Sequence, residues 1–163
     1  EQVQTEATKP VLDNKVNTPT SVTTPVVVQP KVEEPPVPLF KNLYGYRAND
    51  AHFIAIYIVS GPVDFEKVKT AFDNYNAKNY SVLNLKVSLE TVGKKQVIVV
   101  GSLNDANIAK SYLLRMVKES SLFEGLKNAN YRNLLGSKKN LNTLMQQNTL
   151  DVYFEFMKEY YLK

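Results

Sequence analysis

His52 is the single histidine of the chain, and a lone imidazole builds neither a histidine metal site nor a Ser-His-Asp set without partners. The sequence nominates none, so His52 reads as a residue at the mouth of a strand. Cysteine is absent, which excludes disulfides, thiolate catalysis and Cys-based zinc sites. The phosphate-cradling GxxxxGK[ST], the dinucleotide GxGxxG and the GxSxG elbow are all missing, and Gly101 stands alone near a strand end, where a bend is expected. Carboxylate pairs are equally thin. Glu33-Glu34 fall in a Pro-rich leader, and Glu155 and Glu159 have the i, i+4 spacing of a solvated helix face. No catalytic residue, cofactor or metal site is expected, and the chain reads as a binding protein and not an enzyme.

Binding then depends on the elements that present a surface. The run His52 to Ser60 (HFIAIYIVS) has no charge, Gly or Pro and is rich in β-branched and aromatic residues, which suits a strand better than a nine-residue helix. Both alternating sets are apolar, Phe53/Ala55/Tyr57/Val59 and Ile54/Ile56/Ile58, so this strand needs cover on both sides. Gln96 to Leu103 (QVIVVGSL) has the same character. Leu83 to Glu90, by contrast, alternates apolar with polar residues and reads as an edge strand with one wet face. Thr91 to Lys95, holding Gly93, turns the chain between the last two.

Helices fill the gaps. Gly61-Pro62 breaks the first strand; Asp64 is placed to cap a helix running to about Ala77 or Lys78, with Val63 and Val68 at staple spacing and Phe65, Val68, Ala71, Phe72 and Tyr75 on one stripe. Asn104 or Asp105 caps a second helix ending near Ser120 or Ser121, with Ile108, Ala109, Tyr112, Met116 and Val117 buried. After a connector around Gly125 come a short strand, Tyr131 to Leu135, a short helix, Leu141 to Gln147, and a terminal helix, Leu150 to Tyr161, capped by Asn148 or Thr149. Its apolar residues exceed one stripe. Phe40 to Asp50 is expected to be irregular and laid over the domain. The order is an α+β, ferredoxin-like βαββαβ sandwich with extra C-terminal helices, first and third strands central, second and fourth at the edges.

Residues 1–38 differ in kind. Seven of eight prolines lie there, while all 17 aromatics and all six glycines lie from Phe40 onward. Without core-forming side chains, this segment is expected to be a disordered Pro-rich tether preceding a domain at 39–163. In polyproline form it would reach on the order of 100 Å. It carries three lysines against five acidic residues, so the remainder holds most of the formal charge of +4 and more. That admits anionic partners, although the lysines are scattered as on a solvated face. No stretch reaches the ~18 apolar residues of a bilayer span, so no transmembrane segment is expected. No signal peptide opens the given sequence, and it begins at Glu1 and not Met, which suggests a fragment or a processed product from which a targeting segment could have been removed.

Among binding modules of this topology, RNA-recognition domains stack bases on aromatics of the central strands, and QVIVVGSL has none, so nucleic acid is not expected. A peptidoglycan-binding module of the SPOR type has the same element order and often follows a Pro-rich tether, but its Gly-rich first strand does not match HFIAIYIVS. The stretches HFIAIYIVSGPVDFEKVKTAFDNYNAKNY, LNLKVSLETVGKKQVIVVGSLNDANIAKSYL and LDVYFEFMKEYY resemble the C-terminal domain of the large tetratricopeptide-repeat lipoprotein of gliding motility and type IX secretion, the SprE/PorW type. The resemblance covers roughly two thirds of the chain, without any 34-residue repeat. It implies a periplasmic, outer-membrane-associated accessory protein that holds other cell-envelope proteins together, with peptidoglycan as the alternative partner. The candidate interface residues are Ile54, Ile56 and Ile58 on the central strand, with Ile98 and Val100 beside them, and Phe154, Tyr160 and Tyr161 on the last helix; the competing reading of the strand residues is that they pack under helices of the same chain.

Overall fold

The computed structural model describes residues 37–163; the tether expected at residues 1–38 lies almost wholly outside them. The apolar run forms β1 (His52–Ser60), closed by Gly61 at φ +93, where an added Cβ would meet the Asn128 carbonyl at 2.5 Å. Asp64 caps α2 (Phe65–Asn79) by accepting from the Lys67 N–H at 3.1 Å, as the capping pattern requires. The chain continues through β2 (Lys86–Val92), β3 (Lys95–Leu103), α3 (Ala106–Met116), β4 (Asn130–Ser137), α4 (Lys138–Gln147) and α5 (Leu150–Tyr160).

The four strands form one antiparallel sheet in the order β2-β3-β1-β4, so β1 and β3 are central and β2 and β4 are edges. Register follows side-chain type. Ile54, Ile56 and Tyr57 sit opposite Val100, Ile98 and Val97 of β3, while Ile54 and Ala55 sit opposite Leu135 and Leu134 of β4. Alternation then sorts the sheet into two faces. Ala55, Tyr57, Val97, Val99 and Leu134 lie against Leu141, Leu144 and Met145 of α4, around a residual space of only about 10 Å³. Ile54, Ile56, Ile98, Val100 and Leu135 belong to the opposite face, where α2 and α3 contribute the fully buried Val68, Phe72, Ala109, Tyr112 and Met116. Each isoleucine sealed in this way contributes about 1.5–3 kcal/mol of transfer free energy.

Several boundaries differ from the sequence pattern. Leu83 belongs to a 3-10 turn (Ser81–Leu83), and Asn84 turns left-handed at φ +46 before β2 begins. The hairpin tightens to the two residues Gly93 and Lys94, with Val92 opposite Lys95. The second helix stops at Met116, short of Ser120, because the chain enters a second 3-10 segment (Ser120–Leu126); Val117 is consequently exposed, and Leu113 takes the buried place expected for it. The lead-in is not wholly irregular: Leu39–Leu43 form a single-turn helix, α1, packed on α5. Both terminal helices serve the sheet. α4 covers one face, and α5 reaches the β4 edge, where Tyr153 donates to the Leu135 carbonyl at 2.9 Å.

Candidate functional site

His52 begins β1 and is fully buried. Its Nδ1 lies 2.7 Å from the Asp50 carbonyl, which can only accept, so Nδ1 carries the proton; Nε2 then accepts from the Tyr161 hydroxyl at 2.9 Å. Both ring nitrogens are occupied by the chain itself. A histidine so placed is a structural clasp between the start of the first strand and the end of the last helix, with no free nitrogen to serve as a base.

Around the clasp is an aromatic cluster. Tyr44 packs edge-on against Tyr153 at 4.8 Å and its hydroxyl bonds the Thr149 hydroxyl, while Phe156 touches Phe40, Tyr44, Tyr153, Tyr160 and Tyr161. Thr149 stands at the N-cap of α5, but its side chain serves Tyr44 instead of the helix. Burial pushes the Tyr153 and Tyr161 phenols well above their ordinary range, because ionisation there would strand a phenolate away from water.

One pair of this cluster reaches the surface. Tyr46, from the lead-in, stacks on Tyr160 with ring centres 5.1 Å apart and planes 12° apart, and each is 38% exposed. Leu162, next along the chain but one, is exposed as well. Stacked rings half out of water retain transfer free energy that a partner surface can still capture.

The candidate residues separate on this geometry. Ile54, Ile56 and Ile58 are between 0% and 6% exposed, so they form no free surface; α4, supplied by the same chain, covers the face that a partner was needed to seal, and the isoleucines themselves lie on the α2 and α3 side. Ile98 and Val100 share that fate. Tyr161 is also buried, turned inward by its bond to His52. Phe154 is half-buried, and Tyr160 is exposed. The pattern of α5 gives no hint that Tyr46 lies over Tyr160, because the two are 114 positions apart and meet only once α1 has folded onto α5.

On the other side of the lead-in lies an open groove of about 780 Å³, bounded by Lys41 to Gly45, Arg47, Asp50 and the start of α4. A third polar region sits under α2, where Tyr112 donates to Asn76 Oδ1 at 2.7 Å amid the rings of Tyr75 and Tyr80, and burial pushes the Tyr75 phenol up to about 12. Asn76 Nδ2 and the Tyr80 hydroxyl are buried there without a partner. Asn76 was legible in principle, since it lies four residues beyond Phe72 on the buried stripe.

Among the described residues no three His, Asp or Glu side chains converge to hold a metal ion, and no helix is long and apolar enough to cross a membrane. No family model matches the chain, and neither a curated protein nor a solved structure gives a significant match.

Proposed function

We propose that this chain is a non-catalytic protein-protein interaction and scaffolding module of a cell-envelope secretion or gliding-motility machine. The domain is read as a ferredoxin-like sandwich whose C-terminal helices close the sheet, so that binding moves from the strands to the lead-in and α5. The observation that carries this reading is the stacked, exposed Tyr46–Tyr160 pair. It is supported by a His52 whose ring nitrogens are both engaged internally. The resemblance of the chain to the tetratricopeptide-repeat lipoprotein of type IX secretion supplies the setting: periplasmic, outer-membrane-associated, with the Pro-rich segment as a tether.

The test places a photo-crosslinking phenylalanine analogue at the exposed position Leu162 and irradiates cells of the native host. A discrete adduct with one envelope protein is expected, lost when Tyr46 and Tyr160 are both replaced by Ala. No adduct, together with salt-resistant retention of the purified protein on isolated sacculi, would replace this reading with the peptidoglycan-binding one.

A further inference from the structure

We propose that the groove between the lead-in and the start of α4 binds an extended acidic peptide segment of a partner protein; the proposal rests on the docking function above and assigns that partner its chemistry. Lys41, Arg47, Lys138 and Lys139 face the groove against one carboxylate, Asp50. Two of the four cations are already engaged. Lys138 bridges Glu90 at 2.5 Å and lies 5.7 Å from the Phe53 ring centre, while Glu159, held below its usual range chiefly by its hydrogen bond from Lys163, also feels the weaker pull of the Lys41 charge. Arg47 and Lys139 are exposed, and neither has an acidic partner among the described residues.

The placement of this charge runs against local preference. Lys138 and Lys139 are the first two residues of α4, whose first turn holds no acid, and helix N-termini disfavour cations. Glu90 and Phe53 compensate Lys138 inside the fold, whereas Lys139 breaks the local rule with no acidic partner among the described residues, which points to a partner outside it. The groove is also rigidly built. The buried Asn140 side chain accepts from the Gly45 N–H at 3.2 Å and donates to the Gly45 carbonyl at 2.8 Å, fixing the lead-in at its distance from α4.

Shape and lining select the ligand. A concave channel suits a chain better than the flat surface of an anionic bilayer. Single-stranded nucleic acid needs open aromatic faces, and the one ring lining the channel apart from Tyr44, Phe53, is half-buried with Lys138 over it. A neutral glycan would leave Arg47 and Lys139 unmatched. An acidic peptide offers carboxylates to both cations, Arg47 in the bidentate mode, and apolar side chains to Leu43 and Ala51. The same lead-in carries Tyr46 between Gly45 and Arg47, so one segment contributes to both the groove and the stacked pair.

The test titrates the full chain with a fluorescent decapeptide of alternating Glu and Leu. Saturable binding is expected, weakened about tenfold or more by the double variant Arg47→Glu/Lys139→Glu and unchanged by Lys94→Glu/Lys127→Glu, which alters net charge equally at exposed positions elsewhere. Equal loss in both double variants, absence of binding, or tighter Arg47- and Lys139-dependent binding of an oligothymidine or of phosphatidylglycerol vesicles overturns the proposal. If the peptide fails while the Leu162 adduct persists, the groove assignment falls and the docking function stands; if both fail, both fall.

Discussion

Tyr161 donates its hydroxyl to Nε2 of His52, 109 residues earlier in the chain, at 2.9 Å in a site closed to solvent. This bond ties α5 to the first strand. Replacing Tyr161 by Phe keeps the ring packing and leaves a buried imidazole nitrogen unpaired, a loss of about 1–3 kcal/mol in unfolding free energy. Tyr161→Ala also empties the ring's space and is expected to cost about 3–5 kcal/mol. Urea unfolding followed by circular dichroism checks the order; a Tyr161→Phe variant as stable as the parent would remove the clasp from the account.

Gly136 in β4 is held to glycine by its neighbour and not by its backbone. A Cβ there would lie 1.9 Å from the Tyr153 hydroxyl oxygen, and that hydroxyl is bonded to the Leu135 carbonyl. Gly136→Ala is expected to destabilise by about 1–3 kcal/mol through overpacking. Because Tyr153→Phe removes the clashing atom, the double variant should lose less than the sum of the two single ones. Additive losses in a double-mutant cycle would mean that the clash is relieved elsewhere.

Asn148 joins α4 to α5 in a left-handed turn at φ +52 and accepts from the Tyr57 hydroxyl at 3.1 Å. Asn148→Gly loses the hydrogen bond but keeps the backbone conformation at no steric cost. Asn148→Ala loses both, adding about 1–2 kcal/mol of left-handed strain. Thermal melts should therefore rank the parent above Gly and Gly above Ala; Ala above Gly would show that helix propensity, not the turn, decides this position.

What the sequence could and could not reveal divides along the range of the interaction. The extent of β1, the Asp64 and Asp105 caps, the central and edge strands and the helical tail are all written in patterns of two to four residues, and the structure has them. Which face of the sheet α4 would cover depends on how the chain folds after Ser137, so Ile54, Ile56 and Ile58 could be seen as apolar but not assigned to a side. Tyr161 illustrates the same limit: its type and spacing suit an exposed sticky face, and a single partner 109 residues away turns it inward. Arg47 and Lys139 were two lysine-or-arginine positions among 20 until the Gly45–Asn140 bonds set them across one groove.

Alkaline pH should unfold this domain through its tyrosines. An unfolded tyrosine ionises near pH 10, whereas burial holds Tyr112, Tyr153 and Tyr161 above that and pushes Tyr75 up to about 12. The folded-state values are raised, so the stabilisation is complete below pH about 10 and is lost as pH climbs toward the folded values, since only the unfolded chain gives up these protons. Each fully buried phenol steepens that fall by up to about 1.4 kcal/mol per pH unit. Tyrosinate absorbance at 295 nm from the buried rings should rise in a cooperative step that coincides with loss of helical circular dichroism. Tyr161→Phe should be less stable at neutral pH yet decline less steeply above pH 10; a parallel decline, or one smooth titration of all ten tyrosines near pH 10 with the fold intact, would show that these phenols are not sealed from water.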